Sequence, residues 1–211
     1  EGGFKADLTV LRMGECHFRI ITGAATGNVD KKWLQDHLPD DRSVYFSELT
    51  SSLCTVGLWG PRARDVLQSV SADDVSHSGF PFGTLKEITI GNLRTLAFRI
   101  SYVGELGWEI YTPMEYGLLL WDSLWEAGQN HGIVPVGMGV YGTTGRLEKG
   151  YRAVGMELEK EYNPVEAGLA RPLVKQADFV GKVAYLQARE QQLAATLCTL
   201  TVDDHTSSSG E

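Results

Sequence analysis

Apolar positions change period along the chain, and each change marks an element. Over residues 7–13 they alternate, with Leu8 and Val10 on one face and Asp7, Thr9 and Leu11 on the other, the pattern of a half-buried strand. "HFRIITG" (17–23) repeats the alternation after a turn at Gly14 and Glu15, so the two segments are expected to pair as a hairpin. Asn28 or Asp30 is placed to cap a short helix carrying Val29, Trp33, Leu34 and Leu38 at helical spacing, which Pro39 would end. "SVYF" (43–46) reads as a further short strand.

A second unit opens with a strand at "LCTVGLWG" (53–60), which stops at Gly60 and feeds a helix with Pro61 at its first position and Val66, Leu67 and Val70 as its buried stripe. The loop "SHSGFPFG" (76–83) leads to strands at "EITI" and "LRTLAFRISY". "SYVGELGWEIYT" (101–112) then reads as strand, bend and strand. "MEYGLLLWDSLWEAG" (114–128) is expected to be helical, with Leu118, Trp121, Leu124 and Trp125 on one stripe and Gly128 as the stop. Strand, helix, strands, helix is an α+β arrangement of the ferredoxin-like kind: an antiparallel sheet with helices packed on one face.

The next segment, "VGMGVYGTTGRLEKG" (136–150), is read as a helix although it holds five glycines, each costing about 1 kcal/mol there. "NPVEAGL" (163–169) is a turn with a short element, and "DFVGKVAYLQARE" (178–190) a helix capped by Asp178. "ATLCTLTVDD" (195–204) reads as a strand and "HTSSSGE" (205–211) as a polar tail. A last strand needs neighbours and the chain begins with Glu1 rather than Met, so it is expected to be a piece of a longer protein with a further β domain after it.

Charge narrows the function. A net charge of -8 over 211 residues, with no basic run, argues against nucleic acid or an anionic membrane surface as partner. Cys16, Cys54 and Cys198 lie far apart without metal-ligand spacing, so buried free thiols in a reducing compartment are expected, with neither disulfide nor zinc. No apolar run reaches membrane-span length. The chain has no GxSxG elbow, HExxH helix, phosphate-binding GxxxxGK[ST] loop or dinucleotide fingerprint.

What remains is acids on strands. Asp7 shares a face with Thr9, and Glu109 shares one with Tyr111, between the apolar Trp108 and Ile110. Either these acids belong to solvated faces, as most do, or they are held for a ligand. A buried carboxylate needs donors, and a planar heterocycle with two adjacent N–H groups, such as a pterin or purine, supplies both at once. Tyr102 and Tyr111 would give such a ring flat walls. Glu105, in the bend, is read as solvated.

The motifs "GGFKADLTV", "GLWGPRARDVL", "SYVGELGWEIY", "RLEKGYRAVG", "NPVEAGL" and "DFVGK" occur in the order found in the tetrahydrofolate-dependent aminomethyltransferases, the glycine-cleavage T-protein family. The chain most resembles the branch fused to flavin amine oxidases: dimethylglycine oxidase, dimethylglycine dehydrogenase and sarcosine dehydrogenase. The resemblance covers nearly the whole chain. It implies the T-protein folate-binding fold without its N-terminal segment and C-terminal barrel. Residues 1–46 with 148–190 would form one subdomain, 47–147 a second, and 191–211 the first strand and tail of a truncated β domain.

By the same resemblance Asp7 matches the catalytic aspartate and Glu109 the pterin-binding glutamate. Thr9, Ile21, Tyr102, Ile110 and Tyr111 would line the folate site, Ile21 and Ile110 mainly through backbone or apolar surface. T-proteins carry an arginine for the folate tail where this chain has Gly142, which puts that form of tail binding in doubt. Arg146 and Glu148 are read as structural partners. The implied activity is transfer of an aminomethyl or methylene carbon from an N-methylated glycine or aminomethyl donor to tetrahydrofolate, giving 5,10-methylenetetrahydrofolate. Flavin would belong to a separate domain, a fused amine oxidase or a lipoyl carrier protein would be the partner, and a bacterial cytoplasm or mitochondrial matrix the compartment. The alternatives are a folate-binding or regulatory module without transferase activity, and an inert fragment.

Overall fold

A computed structural model describes residues 2–203. The chain divides into two compact units: residues 8–149, and residues 2–7 together with 150–203.

The larger unit is built on a four-stranded antiparallel sheet. Its strands are β3 (Leu53–Trp59), β4 (Leu85–Ile90), β5 (Leu93–Phe98) and β6 (Gly107–Pro113), in the order β3-β6-β5-β4. Two helices, α2 (Ala63–Val70) and α3 (Gly117–Gly128), cover one face, as the alternating strands and periodic helices predict. Val66, Leu67, Leu120 and Leu124 pack there against Leu58, Ile88, Ile90, Ala97, Trp108 and Ile110. Burying one such side chain contributes about 1.5–3 kcal/mol.

On the opposite face the hairpin of β1 (Thr9–Arg12) and β2 (Phe18–Ile21) contributes Leu11, Met13 and Ile21 to a second cluster with Leu96, Phe98 and Tyr111. The hairpin pairs antiparallel, Thr9 opposite Ile21 and Leu11 opposite Arg19, with Met13 and Gly14 amides closing the turn on the His17 carbonyl. Leu11 marks its buried face, and Val10, Phe18 and Ile20 are exposed.

Several local expectations are corrected. The cysteines are not buried: Cys16 and Cys198 are exposed and Cys54 is half-buried. Helix α1 (Gly27–Asp36) does form and stops before Pro39, but neither Asn28 nor Asp30 caps it. Asp30 is instead its buried residue, at 4% exposure, and accepts a hydrogen bond from the Thr22 hydroxyl; Val29 faces solvent. Residues 43–46 form no strand, because three of the four are exposed and no neighbouring strand bonds them. Residues 101–106 form a bend rather than a strand, so β5 ends at Phe98. Helix α2 starts at Ala63, two residues after Pro61, which lies in the preceding turn.

In α3 the buried stripe is Gly117, Leu120, Leu124 and Gly128, while Leu118 and Trp121 lie outside it at 72% and 44% exposure. Glycines set this register: a methyl at Gly117 would sit 2.8 Å from the Cys54 sulfur on β3, and one at Gly128 2.6 Å from Ile133 Cβ. The glycine-rich segment is helical from residue 138, with a π-helical stretch at Val140–Gly145 running into α4 (Arg146–Lys149).

In the smaller unit the Asn163 side-chain oxygen accepts from the Val165 and Glu166 amides at 2.9 and 3.1 Å, and Glu166 Oε2 accepts from the Asn163 amide at 3.0 Å. This reciprocal pairing makes "NPVEAGL" the expected turn. Helix α5 (Lys182–Glu190) begins after Gly181, whose φ of 88° suits glycine, and Asp178 is exposed and does not cap it. Residues 195–203 are exposed and form no strand, as no partner strand is paired with them. The end of that expected strand and the polar tail, residues 204–211, lie outside the described residues.

Candidate functional site

Register places the site. Glu109 on β6 is paired with Gly57 on β3 and with Phe98 on β5, while Tyr111 is paired with Thr55 and Leu96. Paired residues share a face, so Glu109 and Tyr111 project toward the hairpin side of the sheet, and Trp108 and Ile110 toward the helices. Ile110 is fully buried in the helix-side core, so only its backbone lies between the two site residues.

Glu109 is partly buried and accepts the Tyr111 hydroxyl proton on Oε2. Among the described residues no protein group donates to its other oxygen, Oε1. Burial, then the Glu109 charge and the hydrogen bond to it, push the Tyr111 phenol well above its ordinary pKa, so it stays a donor. The Arg19 guanidinium carbon lies 6.0 Å from the Tyr111 ring centre and brings a positive charge to this face.

Glycine shapes the ground beside the acid. A methyl on Gly57 would stand 2.2 Å from Cζ2 of Trp59, and one on Gly107 2.5 Å from its Cδ1, so the indole lies across both glycines next to Glu109. The Tyr141 ring is 5.4 Å from Trp59 and 5.1 Å from Tyr102. Of the residues named from sequence, Thr9 and Ile21 face each other on the hairpin, and Ile21 packs in the cluster that holds Tyr111. Tyr102 stands on the bend before β6, and Glu105 is exposed.

Asp7 belongs to the smaller unit. It is exposed overall, yet partial desolvation raises its pKa above the ordinary aspartate value. Arg146 is 1% exposed, and its Nε donates to the Gly142 carbonyl at 2.7 Å, a structural bond within its own helix.

Sequence reasoning missed Arg19, Trp59 and Tyr141. Gly57 was the available signal for Trp59: an isolated glycine inside an apolar strand marks a close approach, here by the ring two residues on. Tyr141 had none, because its position depends on a π-helical stretch that periodicity does not forecast.

The arrangement presents one carboxylate oxygen to a donor, holds the other on a phenol, and sets the Trp59 indole beside them. A planar heterocycle carrying N–H groups on one edge fits that acceptor. No cluster of three His, Cys, Asp or Glu side chains among the described residues is arranged for a metal, and no described helix is long and apolar enough to cross a membrane.

Residues 1–177 match the GCVT N-terminal domain, and the chain belongs to that family. It is 37% identical over 206 residues to mitochondrial dimethylglycine dehydrogenase of Homo sapiens, covering 96% of this chain and 24% of that protein. It is 34% identical over 206 residues to an aminomethyltransferase of Geobacillus sp. (strain WCH70), covering 97% of this chain and 56% of that protein. The chain thus spans a quarter to just over half of the length of these curated relatives. A solved structure, heterotetrameric sarcosine oxidase from Corynebacterium sp. U-96 with pyrrole 2-carboxylate, superposes with a TM-score of 0.49 at 19% identity, covering 64% of this chain and 66% of that one.

Proposed function

We propose that the chain is a tetrahydrofolate-dependent one-carbon transfer domain, acting on the iminium methylene left when a flavin elsewhere oxidises an N-methylated glycine, or on an aminomethyl donor already at that oxidation level, to yield 5,10-methylenetetrahydrofolate. Family membership and the two enzymes it resembles support this reading. The observation that carries it is Glu109, a half-buried carboxylate with one oxygen held by Tyr111 and the other open to a donor, among aromatic rings.

In this reading Glu109 accepts from the N–H edge of the pterin, and the Tyr111 bond fixes the rotamer of the acid so that little entropy is lost on binding. Tyr102 gives the ring a flat contact, and Thr9 and Ile21 bound the site from the hairpin. Bound tetrahydrofolate supplies the nucleophilic nitrogens that accept the carbon. Asp7 holds and moves the proton at the accepting nitrogen, and a pKa raised by desolvation moves a carboxylate toward the range where general acid–base exchange is efficient. Specificity for the amine donor, and the flavin of any fused amine oxidase, belong to other parts of a longer protein. A bacterial cytoplasm or mitochondrial matrix suits the free cysteines.

Asp7→Asn tests the reading. It should bind tetrahydrofolate as the wild type does while losing about 10²–10⁴-fold in the rate of carbon transfer, measured in single turnovers with formaldehyde as the one-carbon source. Unchanged transfer would remove Asp7 from the chemistry and leave a folate-binding module.

A further inference from the structure

The helix that follows residue 137 departs from α-helical spacing at Val140–Gly145, where it runs as a π-helix. Such stretches are rare and often sit at functional sites, because the extra residue re-aims a side chain at a cost in hydrogen-bond geometry. Here the stretch carries Tyr141, whose ring meets Tyr102 at 5.1 Å and Trp59 at 5.4 Å.

Glycines make that placement possible. A methyl on Gly145 would lie 2.8 Å from Val103 Cβ, and one on Gly104, at φ 78°, would lie 2.6 Å from Lys149 Cγ. The helix therefore rests directly on the bend that carries Tyr102. The seat is specific and tight, yet none of the three rings is fully buried. Rings that only filled a core would be covered, as Trp108 is. These three keep part of their surface exposed; Trp59 lies across the glycines next to Glu109, and Tyr141 is near enough to Tyr111 to help raise its pKa.

We propose that Trp59 and Tyr141 are binding residues for a flat heterocycle bearing N–H donors, forming with Tyr102 a three-ring wall beside Glu109. This rests on the folate reading above and adds the residues that supply stacking to those that supply hydrogen bonds. A polar carboxylate alone gives direction but little area; a wall of rings supplies apolar contact to the same ligand.

Tryptophan fluorescence of the chain titrated with tetrahydrofolate tests this, because a pterin close to an indole quenches it. Trp59→Phe should lose most of the ligand-induced quenching, and Tyr141→Leu should raise Kd about tenfold. Trp121→Phe, an exposed ring on α3, should keep both signals, and Glu109→Gln reports on the folate reading itself. Wild-type quenching in Trp59→Phe together with wild-type Kd in Tyr141→Leu would overturn the wall, even where Glu109→Gln binds weakly and the folate reading stands. Absence of any wild-type binding would overturn both. Should Tyr141→Leu fail to fold, judged by circular dichroism, the quenching lost in Trp59→Phe decides alone.

Discussion

Tyr111 donates its hydroxyl hydrogen to Glu109, two residues earlier on the same face of β6, and at 4% exposure it does so from within the cluster formed with Leu11 and Phe98. The strand thus orients its own acid: one residue supplies the carboxylate, the next on that face fixes its rotamer.

That bond has a consequence at high pH. The folded phenol titrates above its unfolded value of about 10, so above pH 10 the unfolded chain has released a proton that the native state retains. Stability from this group is full below pH 10 and falls as pH rises beyond it. Tyr111→Phe should flatten the alkaline limb of the urea-midpoint profile; an unchanged slope would show that Tyr111 does not contribute.

Gly57→Ala should destabilise the domain by about 1–3 kcal/mol through overpacking. Alanine in an exposed strand position usually does no harm relative to glycine, so the sign is the test. Here the added methyl meets the Trp59 ring at 2.2 Å and displaces it. Denaturant unfolding with an unshifted midpoint would mean that the indole has room to move.

The Thr22 hydroxyl bonds to the buried Asp30 carboxylate and joins the end of β2 to α1. Asp30→Ala removes the acceptor and should cost about 1–3 kcal/mol, whereas Asp30→Asn keeps an acceptor and should cost less. Equal thermal shifts for the two variants would argue against this bond as the source.

Much of this fold was legible because its strands alternate and its helices are periodic, as for Leu53–Trp59 and Ala63–Val70. Errors cluster where one residue type serves two purposes. Asp30 has the chemistry of a helix cap but is a buried acceptor, and Leu118 and Trp121 complete an apolar period that the glycines of α3 turn outward. Residues 195–203 have the composition of a strand, but a strand exists only with a bonded neighbour, which composition does not supply. Glu109 and Tyr111 could be assigned to one face from alternation. The ring beside them could not, since it depends on strand register across β3 and β6 and on the π-helical stretch that carries Tyr141.

Asp7 carries a cost that function would explain. Its raised pKa means that ionisation is disfavoured in the folded state, so its favourable contribution exists at low pH and is lost as pH rises through the folded pKa. At neutral pH Asp7→Asn should therefore be no less stable than wild type while losing carbon transfer. A marked fall in Tm would instead give Asp7 a structural role.

The most direct measurement is calorimetric titration of the chain with tetrahydrofolate, comparing wild type and Glu109→Gln. The role given to Glu109 requires wild-type binding and a loss of at least about tenfold in the variant, since a charge-assisted hydrogen bond is worth about 1.5–3 kcal/mol. Equal affinity in the two proteins would contradict it, and so would a wild-type chain that does not bind.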